Sequence, residues 1–287
     1  MTETRLTPYA RLPRAHHGLC AVSSTVDAYG RAHWLLTEPS VDLGAPYDAL
    51  MVSADNGSAH ETHLSNVQAR FPALGALPDG GFVVADCRSR RGGPHVQVFD
   101  PLGRCTRSFR VGDAIEELLV DEQGEIWVSY FDEGVCTDSL SEPGIRRWSS
   151  TGEPLWQLSP VSGVDHIVDC YALNVDRRAT WACPHPDFPL LEIRHDRATK
   201  VRTNPVKGAR AIAVHGDRIV FFGGYEENRN RLADCRLTET SVETVELGTL
   251  VLPDGGVIGR GSRISRGHRI YVQGGTSPDW FVLDLTV

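Results

Sequence analysis

Ionisable side chains recur where polar connections give way to short apolar runs. Arg70, Arg210, Arg260 and Arg263 stand at such points, and so do Glu116, Asp169 and Tyr171, with His166 close by. Arginine's planar fork matches a carboxylate or phosphate bidentately, so these arginines suit an anionic ligand. A carboxyl group held in a partly dry site titrates nearer neutrality and can serve as an acid or base. Glu116, Asp169, His166 and Tyr171 are therefore the candidate catalytic proton carriers. Arg70, Arg210, Arg260 and Arg263, with Asp132, His185 and Tyr225 from later connections, are the candidate ligand-binding residues. The competing account is that neighbouring arginines and acids pair with one another around solvent.

Other motifs carry less. HETH at 60–63 has two residues between its histidines where the zinc-protease helix needs three. No GxGxxG follows a strand and opens a helix. Seven cysteines are scattered without a CxxC pair, as reduced, small apolar residues would be. His16, His17 and His166 are zinc ligands by type, but chance proximity among 11 histidines accounts for them. Neither a metal nor a cofactor is expected. Trp148, Trp156 and Trp280 are assigned to packing between sheets.

What could bring such distant residues to one face? The segment LLVDEQGEIWVSY joins two short β-type runs through a tight polar turn, and related units recur: STVDAYGRAHWLL, GALPDGGFVVAD, ALNVDRRATWAC, AIAVHGDRIVFFG and SRISRGHRIYVQG. The apolar residue after each turn falls at Trp34, Phe82, Trp127, Trp181, Val220 and Tyr271, spaced 48, 45, 54, 39 and 51 residues apart. A second hairpin follows most units, as in HVQVFDPLGRCTRSFRV. Four strands per period of 40 to 50 residues predict an all-β, six-bladed β-propeller with four-stranded antiparallel blades. The blades are placed at about 14–67, 70–112, 113–160, 165–206, 208–248 and 250–287 in a single domain, 1–287. The last unit lacks a strand, which RLTPYARLP at 5–13 can supply, closing that blade and leaving no open seam.

ALPDGGFVVADCRSRRGGPHVQVFDPLGR resembles an NHL-type repeat. VDEQGEIWVSYFDEG is similar to blades of the six-bladed set that includes the SMP-30/gluconolactonase and strictosidine-synthase-like propellers. The resemblance covers residues 73 to 135 and is one of scaffold, which hosts hydrolases, lyases, cyclases and pure binding modules alike. The lactonase-like members imply a divalent cation held by Glu, Asn and Asp. Here His16 and His17 occupy the region of the early glutamate, and Asn174 lies inside a strand; Glu116, Asp165 and Asp169 are what remains for a hard cation.

A chain of 287 residues with 41% hydrophobic and 23% charged residues has ample material for a core. Its formal charge of −8 opposes general attraction to nucleic acid or an anionic membrane. All but two of its 29 basic residues are arginine, the exceptions being Lys200 and Lys207. The N-terminus lacks the apolar core of a signal peptide, so a cytoplasmic monomer is expected. The expected function is binding of a small polar or anionic ligand at the channel mouth, with acid–base or electrostatic catalysis as an extension. A noncatalytic module for a peptide or protein partner and a metal-dependent lactonase-like hydrolase are the alternatives. The stretch 132–145 is expected as a loop over the binding face, and CPHPDFP at 183–189, with three prolines, as a fixed wall.

Overall fold

The computed structural model describes residues 2–55, 57–89, 92–194, 198–275 and 277–287, so the turn expected within LLEIRHDRATKVRT lies partly outside the described residues. The chain is all-β and divides into two compact units: a central unit, Arg11–Leu158, and a terminal unit, Met1–Ala10 with Ser159–Val287.

The central unit holds three four-stranded antiparallel sheets, built in hydrogen-bonding order from Cys20–Val26, Ala32–Thr37, Tyr47–Asp55 and Ser58–Val67; from Pro72–Ala76, Phe82–Asp86, Val96–Phe99 and Cys105–Phe109; and from Ile115–Val120, Ile126–Tyr130, Ile145–Trp148 and Pro154–Gln157. In the terminal unit an eight-stranded sheet runs Lys200–Arg202, Leu190–Ile193, Thr180–His185, Asp169–Val175, Arg263–Arg266, Arg269–Gln273, Trp280–Asp284 and Thr7–Ala10. Its two halves meet through one parallel pair, Asn174 with Ser265. A five-stranded sheet joins Ala211–His215, Arg218–Phe222, Arg231–Leu237 and Val242–Val251 to Thr2–Arg5.

The hairpin chemistry explains the recurrence. In DAYGR, one Asp27 carboxylate oxygen accepts the backbone N–H groups of Tyr29 and Arg31 at 2.9 and 2.8 Å. Asp100 does the same for Leu102 and Arg104, and Asp121 for Gln123 and Glu125. The carboxylate thus replaces solvent for two turn donors, an arrangement open to Asp and Asn. Asp27's second oxygen accepts Arg31 Nε at 2.7 Å and faces His33 Nε2 at 3.1 Å. Burial alone would raise this carboxyl; the His33 hydrogen bond and charge, together with Arg31, overcome it and hold the pKa at about 2.

Trp34, Phe82, Trp127, Trp181, Val220 and Tyr271 all lie buried on the second strand of their hairpin series. Middle strands are buried on both faces, as in Phe82–Asp86, while outer strands such as Cys105–Phe109 are largely exposed. Neighbouring sheets therefore pack face to face: Leu35, Met51 and Leu64 against Leu74, Val84 and Phe99 in the central unit, and Trp181 and Leu190 with Ile212 and Phe221 in the terminal one. In the terminal unit the buried Asn174 side chain donates to the carbonyls of Ile212 and Gly267 and accepts the Gly267 N–H, linking its strand to Ala211–His215 and to the turn after Arg263–Arg266.

The N-terminal residues do more than expected. Thr7–Ala10 pairs antiparallel with Trp280–Asp284 as the anticipated outer strand. Thr2–Arg5 additionally pairs in parallel with Gly248–Val251. Between the two strands Leu6 is buried beside Leu250, and its N–H donates to Val251 O, so one side chain anchors both strands. The 132–145 stretch also differs from expectation, because Asp132–Thr137 is a short helix. Asp132 and Glu133 in its first turn favour the N-terminal end of the helix dipole. Gly134 lets it approach the chain, since a Cβ there would stand 2.3 Å from Asp113 O.

Candidate functional site

Asp169 and Tyr171 open the strand Asp169–Val175, where the ladder to Thr180–His185 is irregular between Cys170 and Leu173. Such irregularities re-aim side chains. The Tyr171 hydroxyl donates to Asp169 Oδ2 at 2.9 Å, and the Asp169 carboxylate is buried. His185, the register partner of Asp169, places Nδ1 3.9 Å from the same oxygen, beyond hydrogen-bond length. That nitrogen is buried without a hydrogen-bond partner.

An aromatic wall continues from these residues. Phe188 is stacked with Tyr171 at 6.5 Å between centroids, edge-on to His185 at 5.3 Å and edge-on to Tyr225 at 6.3 Å. Phe188 holds φ at 58° and Glu226 at 46°, a region costly for residues with a Cβ and concentrated at functional sites. The buried Asn204 amide keeps Phe188 there by donating to its carbonyl at 3.0 Å. Opposite the Tyr225 ring, Gly208 has φ +70° and leaves only 2.6 Å where a Cβ would be, so this contact needs glycine.

Two cations border the wall. The Arg210 guanidinium lies 4.8 Å from the Tyr171 ring centroid, and Lys207 Nζ lies 5.5 Å from that of Phe188 while donating to Asp187 O at 2.6 Å. Loss of solvent is the main influence on the Tyr171 phenol, followed by its hydrogen bond to Asp169, that residue's negative charge, and Tyr225. All push its pKa above the ordinary tyrosine range. Tyr171 is therefore a fixed neutral donor at physiological pH. The cluster presents aromatic faces, two cations and a buried acid beside an unpartnered imidazole nitrogen: it can hold a planar or anionic group and offers a route for a proton.

Five candidate residues named from sequence thus gather here: Asp169, Tyr171, His185, Arg210 and Tyr225. The other candidates of the terminal unit lie apart from these contacts. His166 is exposed in the connection before Asp169–Val175, Arg260 is exposed ahead of Arg263–Arg266, and Arg263 donates to Gly261 O and lies over the Phe222 ring. Arg70, Glu116 and Asp132 belong to the central unit. Glu116 is half-buried at a ladder irregularity, where it helps burial and Asp86 push the Cys87 thiol up to about 12. Asp132 is exposed, its carboxylate accepting the Glu133 N–H. Arg70 lines a cavity of about 700 Å³. Phe188 and Lys207 escaped the sequence reading because an apolar ring and a loop lysine carry no periodic signal; the three prolines around Phe188 were the one pointer to a rigid wall.

Among the described residues, no three His, Cys, Asp or Glu side chains gather to hold a metal, and no helix is long and apolar enough to cross a membrane.

No family model and no curated protein sequence matches this chain. In fold it is similar to a catalytically inactive virginiamycin B lyase from Staphylococcus aureus with quinupristin, at 12% identity and a TM-score of 0.56, covering 98% of this chain and 99% of that one. A streptogramin B lyase is matched at 14% identity and a TM-score of 0.49, over 94% of this chain and 80% of that one. The first likeness supports a β-propeller scaffold. At such identity it extends to fold alone.

Proposed function

We propose that this chain is a six-bladed propeller that binds a small organic anion bearing a planar or aromatic portion, using the Asp169–Tyr171–His185–Phe188–Tyr225 wall with Arg210 and Lys207. Support for six blades comes from the sheets. The eight-stranded sheet is joined at its middle by a single residue pair, so it counts as two blades, and the five-stranded sheet is one blade with Thr2–Arg5 added.

One observation carries the ligand reading: a guanidinium lies against a tyrosine whose hydroxyl is committed to a buried carboxylate. Arg210 and Lys207, each beside an aromatic ring, bring positive charge and planar surface together, which suits a flat anionic ligand. Catalysis extends this reading, with Asp169 and His185 exchanging a proton with the bound molecule. The lyases named above lend no reaction to it.

The test is native mass spectrometry of the purified protein for a copurified metabolite, followed by calorimetric titration of whatever is found. Arg210→Ala is expected to weaken binding about tenfold or more, as removal of a charged hydrogen-bonding partner does. Asp169→Asn is expected to reduce any turnover more than binding. Undiminished affinity in both Arg210→Ala and Tyr225→Ala would overturn the assignment.

A further inference from the structure

The central unit contains a feature that this reading does not use. A cavity of about 700 Å³ is formed where the connection 68–71 meets residues 43–46, 86–89 and 93–95. Its volume is that of a small-molecule pocket. Leu43, Pro46, Phe71 and Pro94 give it an apolar wall, and Gln68, Arg70, Arg88 and Ser89 line it with polar groups.

The frame around Arg70 is held from several sides. The buried Gln97 accepts the Gln68 N–H at 2.8 Å and donates to Asn66 O at 3.0 Å. The Tyr47 hydroxyl donates to Ala69 O at 2.8 Å. Asp86 also lines the cavity, and its Oδ1 accepts the N–H groups of Phe71 and Arg88, which helps fix the connection. Arg88 is taken by Glu133 at 2.7 Å. Arg70 differs from its neighbours: it is exposed, its contact is with the Phe71 ring at 5.2 Å, and no carboxylate among the described residues lies within ion-pair reach of it. A guanidinium outside any ion pair, beside a cavity with an apolar wall and an exposed aromatic ring, matches an amphipathic anion.

We infer that this cavity is a second binding site, in which Arg70 holds the carboxylate or phosphate of a small molecule whose apolar body rests against Leu43, Pro46 and Phe71. The site shares no residue with the Asp169 cluster, and the two stand or fall separately.

Benzoate and phenyl phosphate serve as probes, with benzyl alcohol as the uncharged control, in calorimetric titrations of the full chain carrying Arg210→Ala and Tyr225→Ala, so that the Asp169 cluster does not contribute. Both anions should bind with millimolar or tighter affinity, and benzyl alcohol at least tenfold more weakly. Arg70→Gln should weaken both anions at least tenfold, about 1.4 kcal/mol, with unchanged circular dichroism. Ala45→Trp added to that background, which leaves Arg70 in place but fills the exposed lip, should abolish the remaining binding. No detectable binding of either anion in that background, or equal binding after Arg70→Gln is added to it, would overturn the inference. Stronger binding of phenyl phosphate than benzoate assigns the site to phosphates; the reverse assigns it to carboxylates.

Discussion

The cavity of the central unit and the aromatic cluster of the terminal unit occupy equivalent points in the repeat. Each lies on the connection from an outer strand to the next first strand, between two loops that follow second strands. Each connection ends in an arginine just before the strand, Arg70 or Arg210, and a buried amide fixes each, Gln97 or Asn204. The difference is in what fills the niche. In the terminal unit Phe188, Tyr171 and Tyr225 close the space from within, and Arg210 lies on a ring. In the central unit 43–46 is Leu-Gly-Ala-Pro, too small to do so, and a cavity remains. One backbone frame thus holds a filled aromatic niche or an open cavity, according to a few loop side chains.

The contrast is tested most severely by Phe188→Ala. Emptying a well-packed niche should cost about 3 to 4 kcal/mol in urea unfolding, whereas Leu43→Ala at the open cavity should cost less than about 1 kcal/mol. Equal losses would show that the two niches are packed alike.

A second comparison concerns acid. Asp27 in the central unit and Asp284 in the terminal unit both titrate at about 2 despite desolvation, the first through His33 and Arg31, the second through Thr286 and Arg269. A carboxyl depressed in the folded state stabilises fully above its unfolded value and loses that contribution as pH falls through the folded one. Stability should therefore be level above about pH 4 and fall between about 4 and 2, with the buried Asp27 contributing about 2 kcal/mol. In Asp27→Asn that part of the acid loss should vanish from unfolding curves measured across this range; an unchanged profile would refute the assignment.

The smallest effect belongs to Tyr171→Phe, which removes one hydrogen bond to Asp169 and should cost about 1 kcal/mol. Because the folded phenol titrates above the ordinary range, its neutral form is the one that folding favours, and that contribution persists below pH 10 and is lost at higher pH. Alkaline absorbance titration should accordingly show the same ionisation amplitude near pH 10 in the variant as in the parent.

The hairpins were legible because their signal is local: a tight turn rich in Gly, Asp or Arg, then an apolar residue that the pleat must bury. Hence all six post-turn residues fall on second strands. The cluster was partly legible for the same reason, since Asp169, Tyr171 and His185 lie on or beside strands whose register the hairpin sets. His166 and Arg260 sit in connections without alternation, where counting back from a turn says nothing about direction. Phe188 depends on a loop path and a buried amide from residue 204, Thr2–Arg5 on pairing with residues some 245 positions away, and the helix at Asp132–Thr137 on a close approach that only Gly134 permits. Such long-range conditions leave no periodic trace.

The pairing of Thr7–Ala10 with Trp280–Asp284 has a temporal consequence. On the ribosome, at about 5 to 20 residues per second, Thr7–Ala10 is made tens of seconds before its partner strand, so it must wait while everything between is made. Arg11–Leu158 holds its own three sheets and does not share that delay. That sheet is completed only after Trp280–Asp284 has been made, and this strand presents an unsatisfied edge to other chains until Thr7–Ala10 pairs with it.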